Sequence, residues 1–387
     1  MPINPTYEYG LAVKKYDKAK TSVERLAALQ EMLATAPKHK GAESLLMNLK
    51  KKIADLRKDL EKERIQAKKS AGAPEFSVKK EGDAQIVFVG YPNIGKSTLL
   101  SKITNATPKI ANYEFTTLIP EVGMMDCKGA RVQVVDLPGL ILGAATGKGG
   151  ASALLSIVRN ADLVVLMASL ERAPPDEQVL QMVEELEKAR IYLNRQRPDV
   201  EVKPNSSGGV VIEGARLIQG NVEAAKAIAR SMGYSNALIL VREKVSLENF
   251  ARALDEGSSF KNACVACTKK DAARHPFEGL HLKLPGFSKG QVFFISQKEN
   301  LEYLKEELFA LLERVRIYTK KPDEAPDREP LVLKKGSTVI QACEAIHKDL
   351  AKKFKFARLW GKSARFAGQR VSPNHVLLEG DVLEVHA

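Results

Sequence analysis

Cysteine is scarce in this chain: Cys127, Cys264, Cys267 and Cys343 are the only four among 387 residues. They are too few and too scattered for a disulfide framework, which points to a reducing compartment, the cytoplasm. Long apolar runs are missing as well, since no uninterrupted stretch approaches the roughly 20 residues that a membrane span needs. The first residues, MPINPTYEYG, lack the charged-then-apolar pattern of a secretory signal. A secreted disulfide scaffold is therefore excluded, and no membrane association is expected. The six histidines (39, 275, 281, 347, 375 and 386) fall at no metal-ligand spacing. Cys264 and Cys267 form a lone CxxC inside an apolar stretch, with no second pair at zinc spacing, so core packing is the reading. Internal repeats and low-complexity tracts are also absent.

Against these absences, 44% hydrophobic and 28% charged residues describe a soluble globular protein. The length implies two to four domains. The net charge of +13 is unevenly placed. Residues 1–80 carry 18 Lys and Arg against 10 Asp and Glu, residues 331–387 carry 10 against 5, and the middle has 32 of each. A neutral centre with basic flanks favours a central machine held to a polyanion, RNA in particular, by its outer parts.

Residues 18–70 show helical spacing. TSVERLAALQEMLATA is broken by PKHKG, and Leu45, Leu46, Leu49, Ile53, Leu56 and Leu60 then form one stripe. This predicts an antiparallel helical hairpin with a basic outer face, ending in the linker SAGAPEFSVKKEGDA, so that 1–80 form hairpin plus linker. From Ala84 strands and helices alternate, which predicts a mostly parallel sheet covered on both faces. After Glu171 the character shifts to an amphipathic helix, polar Pro- and Gly-rich sequence and short strands, read as a small α/β insert over 172–245. The larger domain is then expected over 81–171 and 246–325, with QVFFISQKENLEYLKEELFALLERVRIY closing its sheet. The charged, Pro-rich stretch 320–330 leads into a compact unit over 326–387.

The stretch GYPNIGKST (90–98) follows the apolar run AQIVFV and precedes LLSKIT. Gly90, Gly95, Lys96 and Ser97 match a P-loop in the strand–turn–helix context that confirms it. Backbone N–H groups of the loop, including Asn93, Ile94 and Thr98, and the helix N-terminus are expected to cradle phosphates. Lys96 supplies charge to the β- and γ-phosphates, and the Ser97 hydroxyl ligates Mg²⁺. DLPG (136–139) ends a second apolar strand. Asp136 is placed to hold Mg²⁺ through a water, and the Gly139 N–H to sense a γ-phosphate. Between the two lies YEFTTLIP, whose Thr117 is the candidate switch ligand of Mg²⁺, with Thr116 beside it. TKKD (268–271) follows another apolar run. Asp271 can accept two hydrogen bonds from guanine but finds no such donor pair on adenine. Lys269 can cover the base plane, Thr268 stands where Asn is usual, and Ser296 and Gln297 of FFISQ are placed at the base carbonyl. TKKD thus disfavours a P-loop ATPase.

With these motifs in this order, the chain resembles the developmentally regulated GTP-binding (DRG) proteins of the Obg class of GTPases. GYPNIGKSTLLSKIT, YEFTTLIPEVG, DLPGLILGAATGKGG, RVRIYTKKP and ARLWGKSARFAGQRV carry the resemblance. It implies a helical N-terminal region, a GTPase domain interrupted by a ribosomal-protein-like insert, and a C-terminal TGS domain of β-grasp fold. It further implies slow GTP hydrolysis, association with ribosomes or RNA, and pairing with a separate regulatory protein.

Many GTPases place a Gln directly after DxxG to orient water. Here Leu140 takes that place and cannot hydrogen-bond. Asn93 offers a substitute, since in potassium-activated GTPases an Asn at this P-loop position ligates K⁺ against the phosphates; alternatively it only fits the turn. KKFKFARLWGKSARF (352–366) mixes aromatic and basic residues, and Phe354, Phe356 and Trp360 serve either RNA stacking or a small core. The expectation is a cytoplasmic, Mg²⁺-dependent, K⁺-stimulated GTPase switch at the ribosome. The alternative is a non-catalytic RNA-binding or assembly scaffold with GTP as a structural ligand.

Overall fold

The computed structural model describes residues 22–36, 78–104, 109–110, 120–138, 151–171, 174–273, 286–296 and 301–386, with a few further residues between 11 and 53. The chain forms two compact units, 1–75 and 76–387. In the first, helix α1 (Ser22–Thr35) packs Leu29 and Met32 into one small core with Leu49 and Ile53 of the downstream apolar stripe. Residues 54–77, with most of the expected basic face and linker, lie outside the described residues.

The second unit begins with β1 (Ala84–Gly90), helix α2 (Lys96–Ile103), β2 (Lys109–Ile110), β3 (Glu121–Cys127) and β4 (Ala130–Asp136). Helix α3 (Ala151–Asn160), β5 (Leu163–Ser169), helix α4 (Pro175–Lys188) and β6 (Ile191–Leu193) follow. Next come β7 (Val200–Pro204), β8 (Val210–Glu213), β9 (Ile218–Gln219), helix α5 (Val222–Ser231), β10 (Ala237–Val241), β11 (Val245–Ser246) and helix α6 (Leu247–Leu254). The chain then returns through β12 (Ser259–Thr268), β13 (Val292–Phe294) and helix α7 (Glu302–Leu311).

The large sheet runs β13-β12-β5-β1-β4-β3-β2, with β6 beside β12. Its pairs are parallel except β3 with β4 and β2 with β3. Strands β1 and β5 are buried along their whole length, as their unbroken apolar runs require in a sheet covered twice. One face packs Ile86 and Phe88 against Leu100, Ile103, Leu304 and Leu308 of α2 and α7. The other packs Val87 and Val89 against Ile157 and Val158 of α3 and Val179 and Met182 of α4. Cys264 lies in the first core and Cys267 in the second, because residues three apart on a strand face opposite ways. All four cysteines are buried and unbridged, and burial pushes the Cys267 thiol up to about 12, which makes it inert. Among the described residues no helix is long and apolar enough to cross a membrane.

Two boundaries differ from those expected. Helix α4 and β6, expected inside the insert at 172–245, belong to the large sheet and its core. Helix α6, expected in the larger domain, instead packs Phe250 and Leu254 against Ala225, Ala229 and Ile239 of the insert. Helical periodicity marks an apolar face but does not say which sheet that face covers. Where β6 stops, the Asn194 side chain prolongs the pairing. Its Oδ1 accepts from the Ala263 N–H at 2.7 Å and its Nδ2 donates to the Ala263 carbonyl at 3.0 Å.

The second difference concerns RVRIY. It does not close the large sheet. As β14 (Arg314–Lys320) it pairs antiparallel with β15 (Leu331–Lys334) and parallel with β18 (Val382–His386). The C-terminal unit therefore starts near 314, and 321–330 connect two of its strands. Helices α8 (Val339–Ile346) and α9 (Lys348–Lys352), then β16 (Phe356–Trp360) and β17 (Gln369–Val371), complete it, in the sheet order β15-β14-β18-β16-β17. Ala357 and Leu359 point into its core with Ile317, Leu383 and Cys343. Phe356, Arg358 and Trp360 alternate with them onto the other face. Phe354 packs at the core's edge.

Arg316, only 6% exposed, joins this unit to the large domain. Its guanidinium donates to the Cys127 carbonyl at 2.9 Å, to Glu306 of α7 at 2.9 Å and to Glu379 at 2.6 Å, and lies 4.4 Å over the Phe309 ring. The hydrogen bond from Arg316 holds the Glu306 carboxyl down to about 2. Beside it Gly129 (φ +88) sits against Pro330, where a Cβ would come within 2.6 Å of the proline ring. Removing one partner from such a buried network strands the others. Arg316→Ala is expected to lower stability by about 2–4 kcal/mol, with Arg316→Lys intermediate, measured by urea denaturation.

Candidate nucleotide-binding site

Because β1, β4, β5, β12 and β13 are parallel, their carboxyl ends share one edge, where ligands of open α/β sheets bind. The motifs at 90–98, 136–138, 268–271 and 295–296 are the strand ends at that edge. A cleft of about 260 Å³ opens there, lined by Asn93, Gly95, Thr98, Lys102, Lys269 and Ser296 among others.

The phosphate loop is fixed from below. Ile94 is buried in the core beneath β1. Gly90 cannot carry a side chain, since a Cβ would lie 2.3 Å from Ile94 Cδ1 and 2.8 Å from the Met167 carbonyl. Gly95 takes φ 99 immediately before α2, whose first N–H groups have no partner within the helix. Asn93 takes φ 61, a left-handed conformation that Asn tolerates better than most residues, so the turn alone accommodates it. Lys96 is 7% exposed and its Nζ donates to the Tyr91 carbonyl at 3.2 Å. Burial lowers its pKa, against the opposing pull of Asp136 and Glu121.

Asp136 ends β4 and is 5% exposed. Its Oδ2 accepts from the Ser97 hydroxyl at 2.6 Å, while Oδ1 is buried and has no hydrogen-bond partner among the described residues. Burial raises its pKa, and the Ser97 bond and Lys96 only partly offset this. A buried carboxylate oxygen facing a phosphate loop beside a hydroxyl is a donor set suited to a hard divalent cation.

The base end is tied to the phosphate end by Thr268. Its hydroxyl bonds to the Ile94 carbonyl and lies 3.2 Å from that of Ala168, linking β12, the phosphate loop and β5. Lys269 turns through φ 59 and its ammonium pairs with Glu171 just beyond β5. The Ser296 hydroxyl lies 2.8 Å from both oxygens of Asp271, so the carboxylate is held at the strand edge. Thr116, Thr117, Gly139, Leu140 and Gln297 lie outside the described residues.

Comparison with known proteins decides the family. Residues 85–195 match the family model described as 50S ribosome-binding GTPase, and 315–387 match the TGS domain. The chain is 36% identical to GTP-binding protein 1 of Schizosaccharomyces pombe, over 94% of this chain and 98% of that one. It is 32% identical to human developmentally-regulated GTP-binding protein 2, again over 94% and 98%. The chain belongs to the developmentally regulated GTP-binding protein family. Among solved structures it aligns with the S. pombe YchF GTPase at 16% identity, over 80% of this chain and 99% of that one, with a TM-score of 0.42.

As a GTP-binding GTPase of the DRG type, the chain places its phosphate-loop and base motifs around one cleft. Sequence reading missed Glu171, the partner of Lys269, although its position two residues past an apolar strand end was a usable signal. It also missed Tyr91, which receives Lys96 on its carbonyl and bonds Gln181 through its hydroxyl at 2.6 Å. Thr268, read as an imperfect match, is instead a hydroxyl bridge.

Thr268→Val removes that donor from buried carbonyls and should cost about 1–3 kcal/mol in urea denaturation, with Thr268→Ser keeping most of it. Asp136 gives a pH prediction. A carboxyl whose pKa is raised on folding favours the folded state below its unfolded pKa and loses that contribution as pH rises through the folded value. Asp136→Asn should therefore raise the melting temperature of the nucleotide-free protein at neutral pH, with the gain vanishing at acidic pH. A lowered melting temperature at neutral pH would contradict this.

Proposed function

We propose that this DRG-family GTPase is a Mg²⁺-dependent, K⁺-stimulated switch that hydrolyses GTP in the cytoplasm while associated with the ribosome or its RNA. The observation that carries the reading is the buried Asp136 oxygen, without a partner among the described residues, beside the Ser97 hydroxyl at the mouth of the phosphate loop. Ser97 and Asp136, the latter through a water, and Thr117 would hold Mg²⁺, which when bound neutralises charge between the β- and γ-phosphates. Lys96 releases the Tyr91 carbonyl to bind the phosphates, and the loop N–H groups from Asn93 to Thr98 receive the remaining oxygens. The Gly139 N–H reports the γ-phosphate. Asp271, held by Ser296, accepts from the guanine N1–H and amine, with the Lys269 stem over the ring, Thr268 bracing the loop and Gln297 beside the base.

Leu140 leaves water orientation to other groups. Asn93 carries an amide oxygen at the cleft and would ligate K⁺ where charge grows in the transition state. The ribosome reading draws on the description of the matched GTPase family and on the basic flanks. A separate regulatory protein is proposed as a further partner.

GTP turnover measured in Mg²⁺ should be several-fold faster in KCl than in NaCl, and Asn93→Ala should abolish the difference. Added ribosomes should stimulate turnover. GTP binding without turnover under every condition would favour a scaffold instead. Asp271→Asn should weaken GTP binding by more than tenfold and restore tight binding to xanthosine triphosphate, whose ring presents an acceptor where guanine presents a donor.

A further inference from the structure

Guanine offers a protein two polar edges. One carries the N1–H and the amine that Asp271 accepts; the other carries N7 and O6, both acceptors, and calls for donors. Asn, the residue usual at position 268, would bring an amide N–H₂ group. Thr268 brings a single O–H, and that proton goes to the Ile94 carbonyl of the phosphate loop. Ser296 has the same limit, since its one hydroxyl proton goes to the Asp271 carboxylate, whose oxygens both lie at 2.8 Å. Thr268 and Ser296 are each only 6% exposed, so neither hydroxyl turns to a new acceptor without stranding a buried one. Lys269 is held by Glu171, and Lys96 stands at the phosphate end.

Helix α2 supplies the remaining wall of the cleft. Thr98 and Lys102 both line it, one turn apart on one exposed face of the helix, while Leu100 and Ile103 point into the core. Thr268 and Ser296 line the same cleft. A purine that turns its N1–H and amine to Asp271 presents N7 and O6 to the space these residues enclose. Asn93 also brings an amide to the cleft, but from the phosphate loop, ahead of the helix. The Lys102 ammonium carries three protons on a long, adaptable stem, so it can serve both acceptors while keeping another contact.

We infer that Lys102 is a base-reading residue, whose ammonium donates to N7 and O6 of the bound guanine. Lysine on this edge is a common specific contact to guanine in DNA, and the edge has the same chemistry in a free nucleotide. It also doubles the selectivity of the site. Adenine keeps N7 but carries an amine in place of O6, a donor where the ammonium needs an acceptor. Asp271 thus rejects adenine at one edge and Lys102 at the other. Lys102 takes this role only with guanine as the base, the reading proposed above.

The test uses the full chain in Mg²⁺ and compares by calorimetry its affinities for GTP, ATP, 7-deaza-GTP, which lacks N7, and ITP, which lacks the amine. Wild type should bind 7-deaza-GTP about fivefold or more weakly than GTP. Lys102→Met keeps most of the stem and removes the ammonium. It should bind GTP about tenfold more weakly and lose the 7-deaza penalty, while its ITP penalty, set at Asp271, keeps the wild-type value. Lys102→Arg should keep most of the affinity together with the 7-deaza penalty. Because Lys102 is exposed, both variants should unfold at the wild-type urea midpoint. A 7-deaza penalty absent from wild type, or as large in Lys102→Met as in wild type, would overturn this role and leave the guanine reading standing. Equal weakening of GTP, 7-deaza-GTP and ITP in Lys102→Met would overturn it likewise, by placing the ammonium against the phosphates. A wild-type chain that binds GTP no better than ATP would overturn the guanine reading and the role of Lys102 together.

Discussion

A buried carboxylate with one oxygen that no described residue satisfies is the constraint around which the nucleotide edge is organised. Asp136 sits at the end of a strand paired on both sides, so it cannot move out to water. Its neighbours reduce the cost without removing it, through the Ser97 hydroxyl and the buried Lys96 ammonium. Ser97 and Lys96 open α2, whose entry depends on Gly95 at positive φ and on Ile94 locked in the core. The edge is thus held in a state of unspent electrostatic demand that a bound cation would satisfy, a common trade of stability for function.

Thr268 extends this rigidity to the base end. One hydroxyl joins two strand ends and the phosphate loop, all far apart in sequence, so the groups facing phosphate and base behave as one body. The C-terminal unit is attached just as specifically. Arg316 reaches the Cys127 carbonyl at the tip of the β3–β4 hairpin, whose other end is Asp136 itself.

Much of this was legible in the amino-acid order because its causes are local. The phosphate loop, DLPG and TKKD each need particular residues at adjacent positions after an apolar strand, and each lies at a strand end of one sheet edge. What was not legible is long-range. Helix α4 and helix α6 have similar apolar faces, and nothing in either indicates that one covers the large sheet and the other the insert. RVRIY has the alternation of a strand whichever sheet accepts it. Thr268 looked like a weakened motif because its acceptors, Ile94 and Ala168, are remote in sequence.

The connection from β6 to β12 has a consequence for how this domain can change over evolutionary time or in the hands of an engineer. The two strands are parallel neighbours, with Leu193 opposite Lys261. Parallel neighbours cannot be joined by a tight turn; the chain must travel back the length of the pair, which takes a dozen residues or more. The insert is therefore not an ornament threaded into a loop. It is the crossover itself, enlarged until it acquired a sheet and a core of its own. It can be swapped for another return path, but deleting it outright would leave β6 with no way back to the strand that carries Thr268.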